Sequence, residues 1–226
     1  MNNYLVFGSS GTLGKEIVAT LKRQGSSVVE ATRAPNEKEK IDVNSPGWVS
    51  EAAKHGPFDG VVWAQGANSS DTILTADKST THSLMESNVM FIVDTIQKLV
   101  SIKALSDPCR TVVLSSIWQE SSRSSKFSYS VSKSALHGLV QSAAIDLASE
   151  GIAINAVMPG VIDTPMTRSN LTVDEIKSAE NRSLGGQLAT AENVAETVSW
   201  LLGKNSRGIN GEFIKVDHGW SINSGL

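Results

Sequence analysis

Three side chains in the middle of the chain have the types and spacing for proton transfer. Tyr129 and Lys133 stand four residues apart at the start of a long apolar-periodic segment, so in a helix they project from one face and reach a common point. A phenol ionises near pH ~10 and exchanges protons poorly at neutrality, but a neighbouring ammonium favours the phenolate and lowers that value. Ser116 lies thirteen residues before Tyr129, at the end of an apolar run. Its hydroxyl can hydrogen-bond a substrate oxygen on which charge changes. A Tyr-x-x-x-Lys pair by itself is common on amphipathic helices, so the reading depends on the elements that would position it.

The first of these is a glycine turn. Tyr4-Leu5-Val6-Phe7 reads as a short strand; Gly8-Ser9-Ser10-Gly11-Thr12-Leu13-Gly14 follows, and then Ile17, Val18 and Leu21 recur at helical spacing up to Gly25. Glycines there let the backbone approach a pyrophosphate and let the helix pack closely, while free N–H groups at the helix start attract the anion. The spacing is G-x-x-G-x-x-G rather than G-x-G-x-x-G. A tight loop is the bland alternative, and the position directly after the first strand favours a nucleotide. Residues 27–31 read as the second strand, ending in Thr32-Arg33. Sites for NAD place an acid here on the ribose 2'-hydroxyl, whereas an arginine suits a 2'-phosphate. With Thr32 at the acid position and Arg33 next, NADP(H) is favoured; NAD(H), with Glu30 on the ribose, is the competing reading.

Residues 34–40 are polar and reach Ile41-Asp42-Val43 quickly, although a parallel crossover normally needs a dozen or more residues. The second crossover helix is therefore expected to be missing and the third strand to be a reduced sheet edge. Ser45-Pro46 predicts the cap and first-turn proline of a short helix to about Lys54. Residues 59–63 form a fourth strand leading into Ala64-Gln65-Gly66, residues 68–81 a loop, and His82 opens a helix of some twenty residues that contains Asn88. Asparagine does not favour helix interiors; Asn88 is either solvent-facing or aimed at the site. Residues 110–115 read as a buried parallel strand that delivers Ser116 at its carboxyl end, where open α/β sheets hold ligands. A polar loop over 119–128 lines the cleft, and the helix with Tyr129 and Lys133 runs to near Gly151. A strand over 152–157 leads into Met158-Pro159-Gly160-Val161-Ile162-Asp163-Thr164-Pro165; helices over 170–180 and 191–202 and a strand over 213–216 complete the chain. The βαβα pattern predicts an α/β fold, a single-domain Rossmann-type doubly wound parallel sheet over residues 1–226 with helices on both faces.

Composition narrows the function. The 226 residues carry 20 basic and 23 acidic side chains for a net charge of -3, which gives no electrostatic reason to expect nucleic acid or an anionic membrane. Cys109 is the only cysteine and reads as a small buried residue; with four scattered histidines there is no metal-ligand spacing. The chain opens without a charged leader and cleavage site, and no apolar stretch approaches membrane-spanning length. The expectation is a soluble cytoplasmic protein.

With these motifs in register, the chain resembles the short-chain dehydrogenase/reductase family over nearly its whole length, including its 3-oxoacyl-reductase-like members. The resemblance matches the family's catalytic Y-x-x-x-K to Tyr129 and Lys133, its catalytic serine to Ser116, and the helix asparagine that holds a proton-relay water to Asn88. It matches the nicotinamide-holding P-G-x-I-x-T segment to Pro159, Gly160, Ile162 and Thr164, and the Asp-Val pair that contacts adenine to Asp42 and Val43. It implies an oxidoreductase that interconverts a small-molecule carbonyl and a secondary alcohol, with Lys133 lowering the Tyr129 pKa and contacting the nicotinamide ribose. It also implies a homotetramer or homodimer built through the long helices after the fourth and fifth strands. There are departures. The family's N-N-A-G is Trp63-Ala64-Gln65-Gly66 here, and the spacing of Gly8, Gly11 and Gly14 resembles the extended and atypical branches. A 3-oxoacyl thioester, a small ketone and a sugar ketone all remain open as substrates. A non-catalytic NADP-binding sensor is the main alternative; a nucleotide-sugar epimerase or dehydratase would need a larger C-terminal region.

Overall fold

The strand-forming runs are short, and those at the centre of the sheet are apolar because both of their faces are covered. In the computed structural model, which describes residues 1–33, 40–164, 167–168 and 172–223, they are β1 (Asn3–Phe7), β2 (Ser27–Thr32), β3 (Ile41–Asp42), β4 (Phe58–Trp63), β5 (Leu105–Leu114), β6 (Ile152–Pro159), β7 (Ile162–Asp163), β8 (Ala189–Thr190) and β9 (Phe213–Val216). Seven of them form one sheet in the order β3-β2-β1-β4-β5-β6-β9, every neighbouring pair parallel. The helices are α1 (Thr12–Arg23), α2 (Trp48–His55), α3 (Lys78–Met85), α4 (Phe91–Ser101), α5 (Phe127–Asp146), α6 (Val173–Arg182) and α7 (Ala191–Leu202).

Alternation along β1 divides the core in two. Tyr4 and Val6 share a cluster with Ile17 and Leu21 of α1 and Val194 and Val198 of α7. Leu5 and Phe7 share the other with Trp48, with Ile92 and Leu99 of α4, and with Leu136 and Val140 of α5. The doubly wound reading holds. From β1 the chain moves outward to β2 and β3, then returns to β4 on the other side, so the order reverses beside β1 and leaves a crevice at the carboxyl ends, where Phe7 lies in register with Ala31 and Trp63. Cys109, 1 % exposed in β5, sits where that strand starts to pair with β6.

Two glycines make the crevice. Gly8 has φ +73°, and a Cβ there would lie 2.5 Å from Gln65 N at the end of β4. A Cβ on Gly14 would lie 2.1 Å from the Gly8 carbonyl oxygen, so α1 packs on the turn only because no side chain intervenes.

Several extents differ from the sequence reading. Asp77 caps α3, its carboxylate accepting from Thr80 N at 2.8 Å, so the helix starts four residues before His82. The expected single helix is α3, a π-helical turn (Glu86–Met90) and α4 in succession. Ser45 and Pro46 form a turn instead of a cap: the Ser45 carbonyl accepts from Trp48 N at 3.1 Å, and Gly47 holds the N-cap position of α2 without a side-chain bond. The fifth strand begins at Leu105 and pairs with β4 across a register shift. β7 and β8 form a separate parallel pair that periodicity did not reveal. The reduced edge is β3, two residues long; the crossover before it, residues 34–39, lies outside the described residues, as do residues 170–171 of the expected helix that appears as α6. Among the described residues no helix is long and apolar enough to cross a membrane.

Gly14→Ala should lower the urea midpoint by an amount equivalent to about 1–3 kcal/mol, the usual cost of forcing an atom into a packed site; an unchanged midpoint would show that the turn and α1 can separate freely.

Candidate active site

A cleft of about 330 Å³ opens at the carboxyl ends of β1, β2 and β4. Gly8, Ser10 and Gly11 of the glycine turn line it, with Thr32 and Arg33 after β2, Val43 after β3, and Ala64, Gln65 and Gly66 after β4. Ser10 Oγ lies 2.7 Å from Thr32 Oγ1, which joins the turn to the end of β2. Glu30 is not part of this lining. Its carboxylate pairs with Lys22 at 2.8 Å and Lys40 at 3.2 Å; burial raises its pKa, and the two lysines outweigh that and leave it below the ordinary value. Arg33 is exposed, and among the described residues its guanidinium has no ion pair.

The cleft fits a dinucleotide on two observations. A Cβ on Gly11 would meet nothing but the Gly8 carbonyl oxygen at 3.4 Å, so the outer surface of the turn is open, and no side chain caps α1 at Gly11. Gln65 buries both atoms of its amide without a hydrogen-bond partner among the described residues. Thr12, Leu13 and Gly14 belong to α1 and are not in the lining; Gly14 serves the packing beneath it. Asp42 also stands outside the lining, its carboxylate accepting from Asn44 N at 2.9 Å, while Val43 lines the cleft. Glu86, Ser87 and Phe91 line it too and were missed by sequence reasoning; their only sequence signal is proximity to Asn88.

Ser116, Tyr129 and Lys133 meet at the carboxyl end of β5. Ser116 is 6 % exposed, its hydroxyl accepts from Trp118 N at 3.2 Å, and it stands near enough to the Tyr129 side chain to lower that phenol's pKa. Lys133 is 4 % exposed; its Nζ donates to the Leu114 carbonyl at 2.8 Å and lies 5.8 Å from the centre of the Tyr129 ring. Burial pulls the Lys133 ammonium down to about 8. Burial pushes the Tyr129 phenol above its ordinary value, and Ser116 pulls the other way.

Asn88, 1 % exposed, sits in the π-helical turn, a local insertion frequent at functional sites. Its Oδ1 accepts from Ala67 N at 2.7 Å, and its Nδ2 donates to the Ala67 carbonyl at 3.0 Å and to the Ser132 hydroxyl at 2.9 Å. A Cβ on Gly66 would come within 3.5 Å of Asn88 Oδ1 and 3.7 Å of Lys133 Nζ, so both groups converge on that glycine. Lys126 adds a second cation on the same ring. It is 8 % exposed, lies 5.9 Å from the Tyr129 centroid, and donates to Asn68 Oδ1 at 3.0 Å and Ser69 O at 3.1 Å. Pro159 ends β6, and Gly160 N donates to Val216 O at 3.0 Å, close against Asp217. Ile162 is in β7, and Thr164 Oγ1 accepts from Thr167 N at 3.1 Å. None of these four residues lines the cleft.

Comparison with known proteins agrees with the geometry. Residues 8–221 match the family model described as enoyl-(acyl carrier protein) reductase. The chain is 27 % identical to the uncharacterized oxidoreductase YmfI of Bacillus subtilis (strain 168), over 96 % of this chain and 97 % of that one. It is 25 % identical to the 3-oxoacyl-[acyl-carrier-protein] reductase FabG of Salmonella typhimurium, over 95 % of each. Among solved structures, a short chain dehydrogenase family protein from Francisella tularensis superposes with a TM-score of 0.86 at 25 % identity, over 98 % of this chain and 99 % of that one.

The Lys133 value fixes the sign of a stability effect. Below about 8 both states hold the proton and the burial cost is present in full; between about 8 and 10.5 the folded state has released a proton that the unfolded state keeps, so stability rises with pH. Wild type should therefore gain stability relative to Lys133→Met between pH 8 and 10 in urea unfolding, and a difference that stays flat would mean that the ammonium is not desolvated.

Proposed function

The chain belongs to the short-chain dehydrogenase/reductase family, and from that premise we propose that it is an NADP(H)-dependent oxidoreductase that interconverts a small-molecule carbonyl and a secondary alcohol, with Tyr129 as general acid and base. The observation that carries this reading is the Ser116–Tyr129 hydroxyl pair at the carboxyl end of β5, with Lys133 Nζ 5.8 Å from the tyrosine ring. A bound nicotinamide supplies or accepts the hydride.

Ser116 and Tyr129 hold the substrate oxygen between two hydroxyls. In reduction Tyr129 gives its proton to that oxygen, and the burial that raises its pKa keeps the phenol protonated until the oxygen becomes basic. Such a positioned acid contributes about 10²- to 10⁴-fold. Lys133 stabilises the phenolate left behind and reloads it, and Asn88 holds a water that joins Lys133 to solvent. Gly8, Ser10 and Gly11 with the start of α1 take the pyrophosphate, and Arg33 takes the 2'-phosphate. Gln65, Asp42 and Val43 face the adenosine, and Pro159, Gly160, Ile162 and Thr164 the nicotinamide end. The name of the similar FabG protein keeps a 3-oxoacyl thioester among the candidate substrates. Exposed Val131 and Ile145 on α5 support a homodimer or homotetramer through that helix.

Tyr129→Phe should cut turnover at least ~100-fold under saturating cofactor while the NADPH dissociation constant stays within about twofold; retained turnover would end the assignment. Arg33→Ala should weaken NADPH about 10- to 100-fold, the worth of a charged hydrogen bond, and leave NADH nearly unaffected in a fluorescence titration. Equal losses for both nucleotides would place the 2'-phosphate elsewhere.

A further inference from the structure

A serine hydroxyl turns about its C–O bond to suit its surroundings, so what Ser116 can do for a substrate oxygen depends on what else holds it. One contact is plain. Trp118 N donates to Ser116 Oγ at 3.2 Å, with Ser116 as the N-cap of a 3-10 turn (Ile117–Gln119). That bond takes one lone pair of the oxygen and leaves the hydroxyl hydrogen to donate elsewhere. The aim of the hydroxyl is therefore set by where the turn places the Trp118 N–H.

A 3-10 turn is short and has poorer hydrogen-bond geometry than an α-helix, so contacts from outside decide its shape. Gln119 is held on two sides: its Oε1 accepts from the Ser115 hydroxyl at 2.7 Å, and its carbonyl from the hydroxyl of Ser134, the neighbour of Lys133, at 2.9 Å. Trp118 is held by its ring. The ring meets Trp220 edge to face with centroids 5.5 Å apart, and the Arg123 guanidinium lies 5.9 Å from its centre. Arg182, the last residue of α6, lies 3.9 Å from the centre of the Trp220 ring. The four side chains make a ladder in the order Arg123, Trp118, Trp220, Arg182.

The rungs are not equally firm. Trp220 is braced by Asp217, 8 % exposed, whose carbonyl accepts from Trp220 N at 3.0 Å and whose carboxylate accepts from Gly219 N and Ser221 N, both at 2.9 Å. Lys215 Nζ pairs with Glu120 at 2.6 Å, which ties β9 to the residue after the turn. Arg182 is exposed and ends a helix that buries none of its residues. The force on the turn comes from the ring of Trp220, and Arg182 adds to it from outside.

We propose that Trp118 is a positioning residue for the reaction: its ring, braced by Trp220, holds the turn whose N–H aims the Ser116 hydroxyl. This rests on the reductase reading above. The two indoles have no other task in that reading. A misplaced catalytic group costs up to about 10²-fold in rate, and one lost or misaligned hydrogen bond about 10-fold.

The test is a double-mutant cycle, because side chains that act through one another are non-additive and independent ones add. Reduction of 2,3-butanedione, methyl 3-oxobutanoate or cyclohexanone, whichever the wild type reduces fastest, is followed with enzyme in excess over NADPH and the ketone saturating, so that slow variants remain measurable. Trp118→Ala should lower the rate about 10-fold where Ser116 is present and less than about twofold in the Ser116→Ala background. Trp118→Phe keeps a ring against Trp220 and should stay within about threefold of wild type. Trp220→Leu should show the same dependence on Ser116, with a smaller loss for Arg182→Ala, and it decides the matter if Trp118→Ala fails to fold by circular dichroism. Losses of equal size with and without Ser116, or no loss at all, would mean that the ladder serves packing alone, and would overturn the proposal while leaving the reductase intact. Tight NADPH binding without turnover of any ketone by wild type would overturn both.

Discussion

An ammonium in the interior, without a carboxylate beside it among the described residues, is the constraint around which this molecule is arranged. Removing a charge from water is expensive unless hydrogen bonds replace its shell, and Lys133 has been given the carbonyl at the end of β5 and the face of Tyr129. Both partners come from the machinery of the site. The carbonyl exists as a free acceptor because β5 ends there, and the ring is one helical turn away because α5 begins where it does. A protein selected only for stability would place a hydrophobe at this position.

The start of α5 is itself held from outside the helix. Asp71 accepts from Phe127 N through its carbonyl at 3.1 Å and from Ser128 N through its carboxylate at 2.9 Å, which supplies in trans the cap that the helix's own Lys126 does not provide. Hydrogen bonds from Ser128 hold the Asp71 carboxyl below its ordinary value. Lys126 bonds the same loop at Asn68 and Ser69, and Asn88 grips its other end at Ala67. The strap over 67–71 thus joins the π-helical turn to the first turn of α5. Tyr129, Lys133 and Asn88 are in this way tied to one strap.

Much of this was legible from the sequence. α7 and β9 have the extents that periodicity assigned, because their apolar positions face a core on a regular element and their ends carry ordinary punctuation: a Thr190 capping box for α7 and Gly203 after it. The glycine turn, Ser116, Tyr129 and Lys133 could be found because spacing along the chain maps onto spacing in the fold. What could not be read depends on partners distant in sequence. The β7–β8 pair is two residues long on each side and leaves no periodic trace. Glu30 could be weighed as a ribose ligand until Lys22 and Lys40 were seen on its carboxylate. The meeting of Trp118 with Trp220 leaves no trace either, since the two rings are far apart in the chain and the fold alone brings them together.

Cys109 supplies a last consequence. It is the only thiol, it lies in a central strand where β5 joins β6, and burial pushes it up to about 12. Thiolate chemistry is closed to it in the folded state, so an alkylating reagent can reach it only when β5 and β6 part at the end where their pairing begins. The rate of its labelling is then a clock for opening events, carried in the native chain without an added probe and indifferent to what happens in the loops around the site.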